Sequence, residues 1–289
     1  MAFPKWQNPL DWLTQCCHIG LGRKVSPGMD EWLVGPVGLA GETASEFIER
    51  LAAEKRLTIS RNAPGSGLLS QFENWGFPID PNVADFYNHT IDYTFEVRST
   101  WKPRFGVLGK LVSKLFSRRI QQFNLPNVGR DETASFKSDL IQLIDVGGKV
   151  VYTVWIRSMK ETGDIVFYGI YSTCQLPSGG YGVKSVFPLP QGNATVIFAV
   201  REGPRGQLQL VSSGKEHCDT GFYFFVEDRR GILWKRYIPG FRQQISVYNC
   251  ETSELGAEHS MAFWMFKAYH MNYRIRKINS HVEANEVSR

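Results

Sequence analysis

In the stretch DFYNHTIDY, His89 is flanked by Tyr87, Thr90 and Asp92. An imidazole titrates near neutral pH, so it serves as a general acid or base when a substrate comes within hydrogen-bond reach. The same residue in the same place also serves to cap a turn or to fill a core corner by hydrogen bonding. A second stretch, SSGKEHCDTGFYFF, sets His217, Cys218 and Asp219 side by side. Adjacent side chains of a strand point to opposite faces, so in a strand these three form no triad with one another. Cys218 becomes a nucleophile only where a base from elsewhere, such as His259 or His89, approaches it. Asp219 and Gly221 also suit a turn leading into the apolar strand that follows. The candidates for catalysis are therefore His89, Tyr87 and Asp219, and whether any reaction is catalysed stays open.

The third chemistry-bearing stretch is basic. Between Glu96 and Asp131 there is no acidic residue, while Arg98, Lys102, Arg104, Lys110, Lys114, Arg118, Arg119 and Arg130 occur. Leu108, Leu111, Val112, Leu115, Phe116, Ile120 and Phe123 form one apolar stripe at 3.6-residue spacing, which predicts a helix over 106–123 that Pro126 stops. Lys110, Lys114 and Arg118 fall largely opposite the stripe, as on a solvated face or in a peripheral membrane contact. Arg119 and Gln122 flank the stripe. There they could hold the polar end of an amphiphile at the rim of an apolar cavity; the alternative is that Arg118 and Arg119 neutralise the helix C-terminal dipole. The cations are not interleaved with aromatics in a nucleic-acid-binding pattern, so no nucleic-acid partner is expected.

These groups need a scaffold. The first 80 residues read as helical and irregular. In GETASEFIERLAAEKR, Ala44, Phe47, Ile48 and Leu51 share one helical face, and GSGLLSQFENWGF suggests a shorter helix. From His89 the period changes to two: Ile91, Tyr93, Phe95 and Val97 alternate with polar residues in TIDYTFEVR. Strand-like runs then follow to Ile275, separated by turn signals such as Gly147-Gly148 and Gly179-Gly180. They leave no room for crossover helices, so neighbours should pair antiparallel, and nine or ten such strands tend to curl or close because closure removes the edges. The aromatic content of 13% suits a sheet with a wide apolar face. The expected fold is α+β and mainly antiparallel β. Residues 1–82 form a helical or irregular extension, 83–278 a barrel-like domain with the helix 106–123, and 279–289 a disordered tail.

The remaining bulk features narrow the classes. The formal net charge of +5 argues only for a weak preference for anionic partners. The five cysteines are irregularly spaced and include no CxxC pair, so neither a disulfide framework nor a metal site is expected. The start, MAFPKWQNPLDWLTQCCHIG, lacks a secretory h-region, and no apolar run approaches a membrane span. The expected location is a reducing cytoplasm. With no Walker A, GxGxxG, GxSxG or HExxH pattern, no cofactor is expected.

The pattern DFYNHTIDY…W…SRRIQQFNLP resembles the signature of an uncharacterised bacterial protein family, an FYxHT element followed by Trp and SRRIxQxNLP. The match covers Asp85 to Pro126 and scattered strands to about Tyr273, and it implies no activity. In architecture the chain is similar to helix-grip (START-like) and lipocalin-like proteins, which enclose apolar ligands. That similarity implies a cavity for a hydrophobic or anionic amphiphilic small molecule, lipid or polyketide-like, with Arg119, Gln122, Tyr93, Phe95 and Tyr223 as candidate ligand-binding residues. Two other readings use the same scaffold: an enzyme such as a cyclase, isomerase or hydrolase of a hydrophobic substrate, and a structural or partner-binding protein with a filled core. A cavity discriminates among them, and a His–carboxylate pair inside it would favour the enzyme.

Overall fold

The computed structural model describes residues 9–72, 75–101, 134–160, 162–213, 219–250 and 254–278. The expected helix over 106–123, with Lys110, Lys114, Arg118, Arg119 and Gln122, lies outside the described residues. So do His217, Cys218 and the tail from 279.

Among the described residues, three helices and fourteen strands follow one another: α1 (Pro9–Leu21), β1 (Arg23–Lys24), α2 (Ala44–Lys55), β2 (Thr58–Arg61), α3 (Pro81–Asn88), β3 (Tyr93–Trp101), β4 (Ala134–Ile144), β5 (Val150–Met159), β6 (Ile165–Gln175), β7 (Tyr181–Leu189), β8 (Gly192–Glu202), β9 (Leu208–Ser212), β10 (Gly221–Glu227), β11 (Leu233–Tyr237), β12 (Phe241–Asn249), β13 (Leu255–Phe263) and β14 (Phe266–Lys277). Ten of them, in the order β8-β7-β6-β5-β4-β3-β14-β13-β12-β9, close into an antiparallel barrel when β9 pairs back onto β8. Closure depends on β8 changing partners along its length. Gly192–Ile197 pair with β10, while Ala199–Glu202 pair with β9. The strands β10, β11 and β1 therefore leave the ring as a lateral flap.

The interior and exterior faces are set by the pleat. Tyr93 and Phe95 of β3 join the inner core, as the alternation predicts. On β5, Trp155 belongs to that inner core while Val154 and Ile156 lie in a second cluster on the outer face. The outer cluster exists because α2 covers it: Phe47, Ile48 and Leu51, fully buried, pack on Ile141, Val154 and Ile170. The helix begins at a capping box in which the Thr43 hydroxyl accepts from the Glu46 N–H and the Glu46 carboxylate accepts from the Thr43 N–H. Elsewhere on the outer face, buried Lys184 donates to the carbonyls of Trp32 and Val34, both at 2.9 Å, and so ties the loop before α2 to the barrel.

One end of the barrel is plugged by α3 and the chain before it. The helix has Pro81 in its first turn, and the Asp80 carboxylate accepts from the N–H groups of Asn82 and Val83. Its Val83, Phe86 and Tyr87 pack with Leu68, Leu69 and Phe72 inside the inner core. Of the last three, Leu68 and Leu69 lie in a turn and Phe72 just after it, not in the short helix that GSGLLSQFENWGF suggests. The backbone there is committed elsewhere. Leu68 N–H donates to the Thr90 hydroxyl at 2.9 Å and Leu69 N–H to the Tyr87 carbonyl at 3.1 Å. Gly67 sits so close to Asn88 that a side chain has no room. A similar commitment moves the start of β3. Ile91 N–H donates to the Ser66 carbonyl, Thr90–Asp92 form a single 3-10 turn, and the strand begins at Tyr93 instead of Ile91.

Candidate functional site

The barrel interior holds a cavity of about 130 Å³. Leu68, Leu69, Phe86 and Tyr87 of the plug form one wall, and strand residues such as Phe95, Trp155, Phe167, Phe187 and Phe198 form the others. The aromatic side chains pack edge-to-face or tilted, as their quadrupoles prefer.

Polar groups also reach this space: Arg157 of β5, Tyr171 of β6, Ser185 of β7, Gln243 of β12, His259 of β13 and Tyr273 of β14. Arg157 is 4% exposed. Its guanidinium carbon lies 4.1 Å from the Trp155 ring centroid, 4.5 Å from that of Phe95 and 5.1 Å from that of Tyr273. Among the described residues no carboxylate pairs with it, and its Nε has no hydrogen-bond partner. Burial pulls its pKa down, while the neighbouring Tyr273 and Tyr171 hydroxyls oppose that pull. His259 is pushed down to about 3 by burial, with the Arg157 and His270 charges adding to the effect, so it is neutral at physiological pH. Its Nε2 lies 3.1 Å from the Gln243 carboxamide oxygen. That oxygen accepts, so the proton sits on Nε2 and Nδ1 remains an acceptor. Burial holds Tyr171 up at about 12 and raises Tyr273 as well, leaving both hydroxyls protonated.

Of the residues singled out in the sequence, Tyr87 and Phe95 line the cavity. Tyr93 belongs to the inner core, but its hydroxyl turns to Asp85 at 2.5 Å. His89 Nδ1 contacts the same carboxylate at 2.8 Å and Lys277 Nζ at 2.7 Å. Burial raises the Asp85 pKa, but the hydrogen bonds from Lys277, Tyr93 and His89 outweigh it and hold the group down at about 2. This His–carboxylate pair ties α3 to β3 and β14 and does not line the cavity. Asp219 sits in the turn before β10, where its carboxylate accepts from Ser178 at 3.1 Å and its carbonyl from the Tyr223 hydroxyl at 2.7 Å. Tyr223 packs in an outer cluster with Leu33, Cys174 and Phe225, away from the cavity. Arg157, Gln243 and Tyr273 were not singled out, and His259 was named only as a base that could approach Cys218. The one signal for Arg157 is its place in VVYTVWIRS, two residues after Trp155 and hence on the same face.

The chain is similar to the "Uncharacterized membrane protein YndJ" of Bacillus subtilis (strain 168), with 25% identity over 240 residues, or 82% of this chain. It spans 42% of the length of that relative. No protein-family profile and no solved structure matches it. The expectation of a cytoplasmic protein is overturned by this relative, which is named a membrane protein. Among the described residues no helix is long and apolar enough to cross a membrane, which says nothing of strands.

Proposed function

We propose that the barrel binds a small, largely apolar molecule. The observation that carries this reading is the interior cavity of about 130 Å³ walled by aromatic and aliphatic side chains. Empty apolar space of this order, ~150 Å³, accommodates a benzene-sized molecule. A filled interior, as a purely structural protein would have, lacks that space. The enzyme reading draws less support, because the histidine lining the cavity, His259, meets a carboxamide instead of a carboxylate. Native mass spectrometry of freshly purified protein should reveal a co-purified apolar molecule. Calorimetric titration with indole, a compact uncharged probe, should show saturable binding that Ala257→Phe, which fills the cavity, abolishes. Binding that survives Ala257→Phe in a folded variant would refute the reading.

A second reading concerns peripheral membrane contact. The β13–β14 turn exposes Phe263, Trp264, Met265 and Phe266 in succession, with Lys267 exposed beside them. Arg242 donates to the Trp264 carbonyl at the same tip. Aromatic and sulfur side chains next to cations are the composition that enters a lipid interface. The name of the similar protein points the same way. Lys110, Lys114 and Arg118 are part of this proposal as additional contacts. Co-sedimentation with vesicles containing phosphatidylserine should fall on Trp264→Ser with Met265→Ser. Undiminished co-sedimentation of that double variant excludes the tip.

A further inference from the structure

We propose that Arg157 anchors an anionic head group, a carboxylate, on the molecule that occupies the cavity. This inference rests on the binding reading above and specifies the chemistry of its ligand. The guanidinium is buried deep in the barrel, 4% exposed, and opposed by no carboxylate among the described residues. Rings of Trp155, Phe95 and Tyr273 lie close to it. Such rings meet the cation through their faces and leave its in-plane N–H edge to other partners. That edge is under-used: Nε has no acceptor, and neither has Nε1 of Trp155, two residues earlier on the same face. Both residues line the cavity.

The neighbouring groups do not supply the missing charge. Tyr171 and Tyr273 stay protonated, and His259 stays neutral. Among the described residues Arg157 is thus the only charged one of the cavity lining, with one positive charge and a planar fork of donors. A planar fork matches a carboxylate in a two-point hydrogen bond. The charge match is also one to one, whereas a phosphate dianion would leave a negative charge uncompensated in an apolar space. Apart from the neutral polar groups of Tyr171, Ser185, Gln243, His259 and Tyr273, the described lining is apolar and takes a hydrocarbon or aromatic remainder. The ligand class is therefore a compact amphiphile with a carboxylate head.

The test is calorimetric displacement of indole from the wild-type protein by octanoate, octanol and octyl phosphate. It is repeated on Arg157→Met and Arg157→Lys. Wild type should take octanoate about tenfold to a hundredfold more tightly than octanol, the range expected of hydrogen bonds to a charged group. Arg157→Met should erase that preference while leaving octanol binding in place, and Arg157→Lys should restore part of it. Equal displacement by octanoate and octanol in the wild type overturns the assignment without any variant, and so does a preference that survives Arg157→Met. Octyl phosphate displacing best replaces carboxylate by phosphate as the head group and refutes the class proposed here. Failure of all three compounds, with no saturable indole binding, overturns the cavity reading itself, an outcome distinct from loss of the anion preference alone.

Discussion

Asp85→Asn tests whether the His89–Asp85–Tyr93–Lys277 cluster is a staple for the barrel plug. The carboxylate receives three side-chain hydrogen bonds, which hold its pKa at about 2 against an ordinary 3.8. A group held down that far corresponds to at most about 2.5 kcal/mol of stability. The Asp85 side chain is 32% exposed and its ion-pair partners Lys277 and His89 are more so, which screens the ion pairs and brings the expected contribution to about 1 kcal/mol. The pH dependence follows from the sign of the shift. The unfolded chain takes up this proton near pH 4, the folded one only near pH 2. The stabilisation is complete above pH 4 and is lost as the pH falls through that window. Urea melts of wild type and Asp85→Asn should differ by about 1 kcal/mol at pH 7. They should converge as the pH is lowered from about 4 to 2. A difference that stays constant to pH 2 would show that the variant acts by some route other than loss of the ionised carboxylate. No difference at pH 7 would show that α3 is held by Val83, Phe86 and Tyr87 alone.

Three further outcomes are expected. Leu51→Ala should cost ~2 to 5 kcal/mol in a denaturant melt, because Leu51 is buried between α2 and the barrel, and indole affinity should be unchanged because that face is outside the cavity. Wild-type stability should decline on acidification from about pH 6.5 toward 3, since the unfolded chain binds protons that buried His259 and His18 refuse; His259→Gln should flatten that slope, leaving the share of His18, which burial and Arg236 hold at about 4. Gly240→Ala should lower stability by about 1 to 2 kcal/mol, because Gly240 has φ of +77° and a Cβ there would fall on the Trp264 indole, and acrylamide quenching of Trp264 should rise as the ring is displaced.

Much of the fold is legible where one periodicity dominates. Tyr93 and Phe95 alternate with polar residues and sit inside; Phe47, Ile48 and Leu51 repeat at helical spacing and sit under α2. Strand β13 escapes the same reading. In LGAEHSMAF the residues facing the cavity are Ala257, His259 and Met261, and the alternate positions are Gly256, Glu258 and Ser260. Small and polar side chains on both faces carry almost no period. The plug is misread for a different reason: Leu68, Leu69 and Phe72 have helical spacing, yet the N–H groups of Leu68 and Leu69 donate to Thr90 and Tyr87, and only Phe72 bonds back locally, to the Leu69 carbonyl. Such long-range bonds leave no local trace.

The site was hidden by the cover on the opposite face. In VVYTVWIRS both faces of β5 are apolar, because α2 buries Val154 and Ile156 on the outside while the barrel buries Trp155 on the inside. Without alternation, parity is undetermined, and an arginine near the strand end reads as solvent-facing. Once α2 assigns Val154 and Ile156 to the outside, Arg157 must point in. Its neighbours follow only from closure. Tyr171 comes with β6 next door, but Tyr273 and His259 belong to β14 and β13, more than 100 residues further along the chain. They meet Arg157 because β3 joins β14 to β4, which brings the last strands of the barrel beside the first. A lone cation in an apolar run is thus unremarkable in one dimension. It becomes a binding group when ring closure surrounds it with aromatic faces and neutral hydroxyls and leaves its charge unmatched.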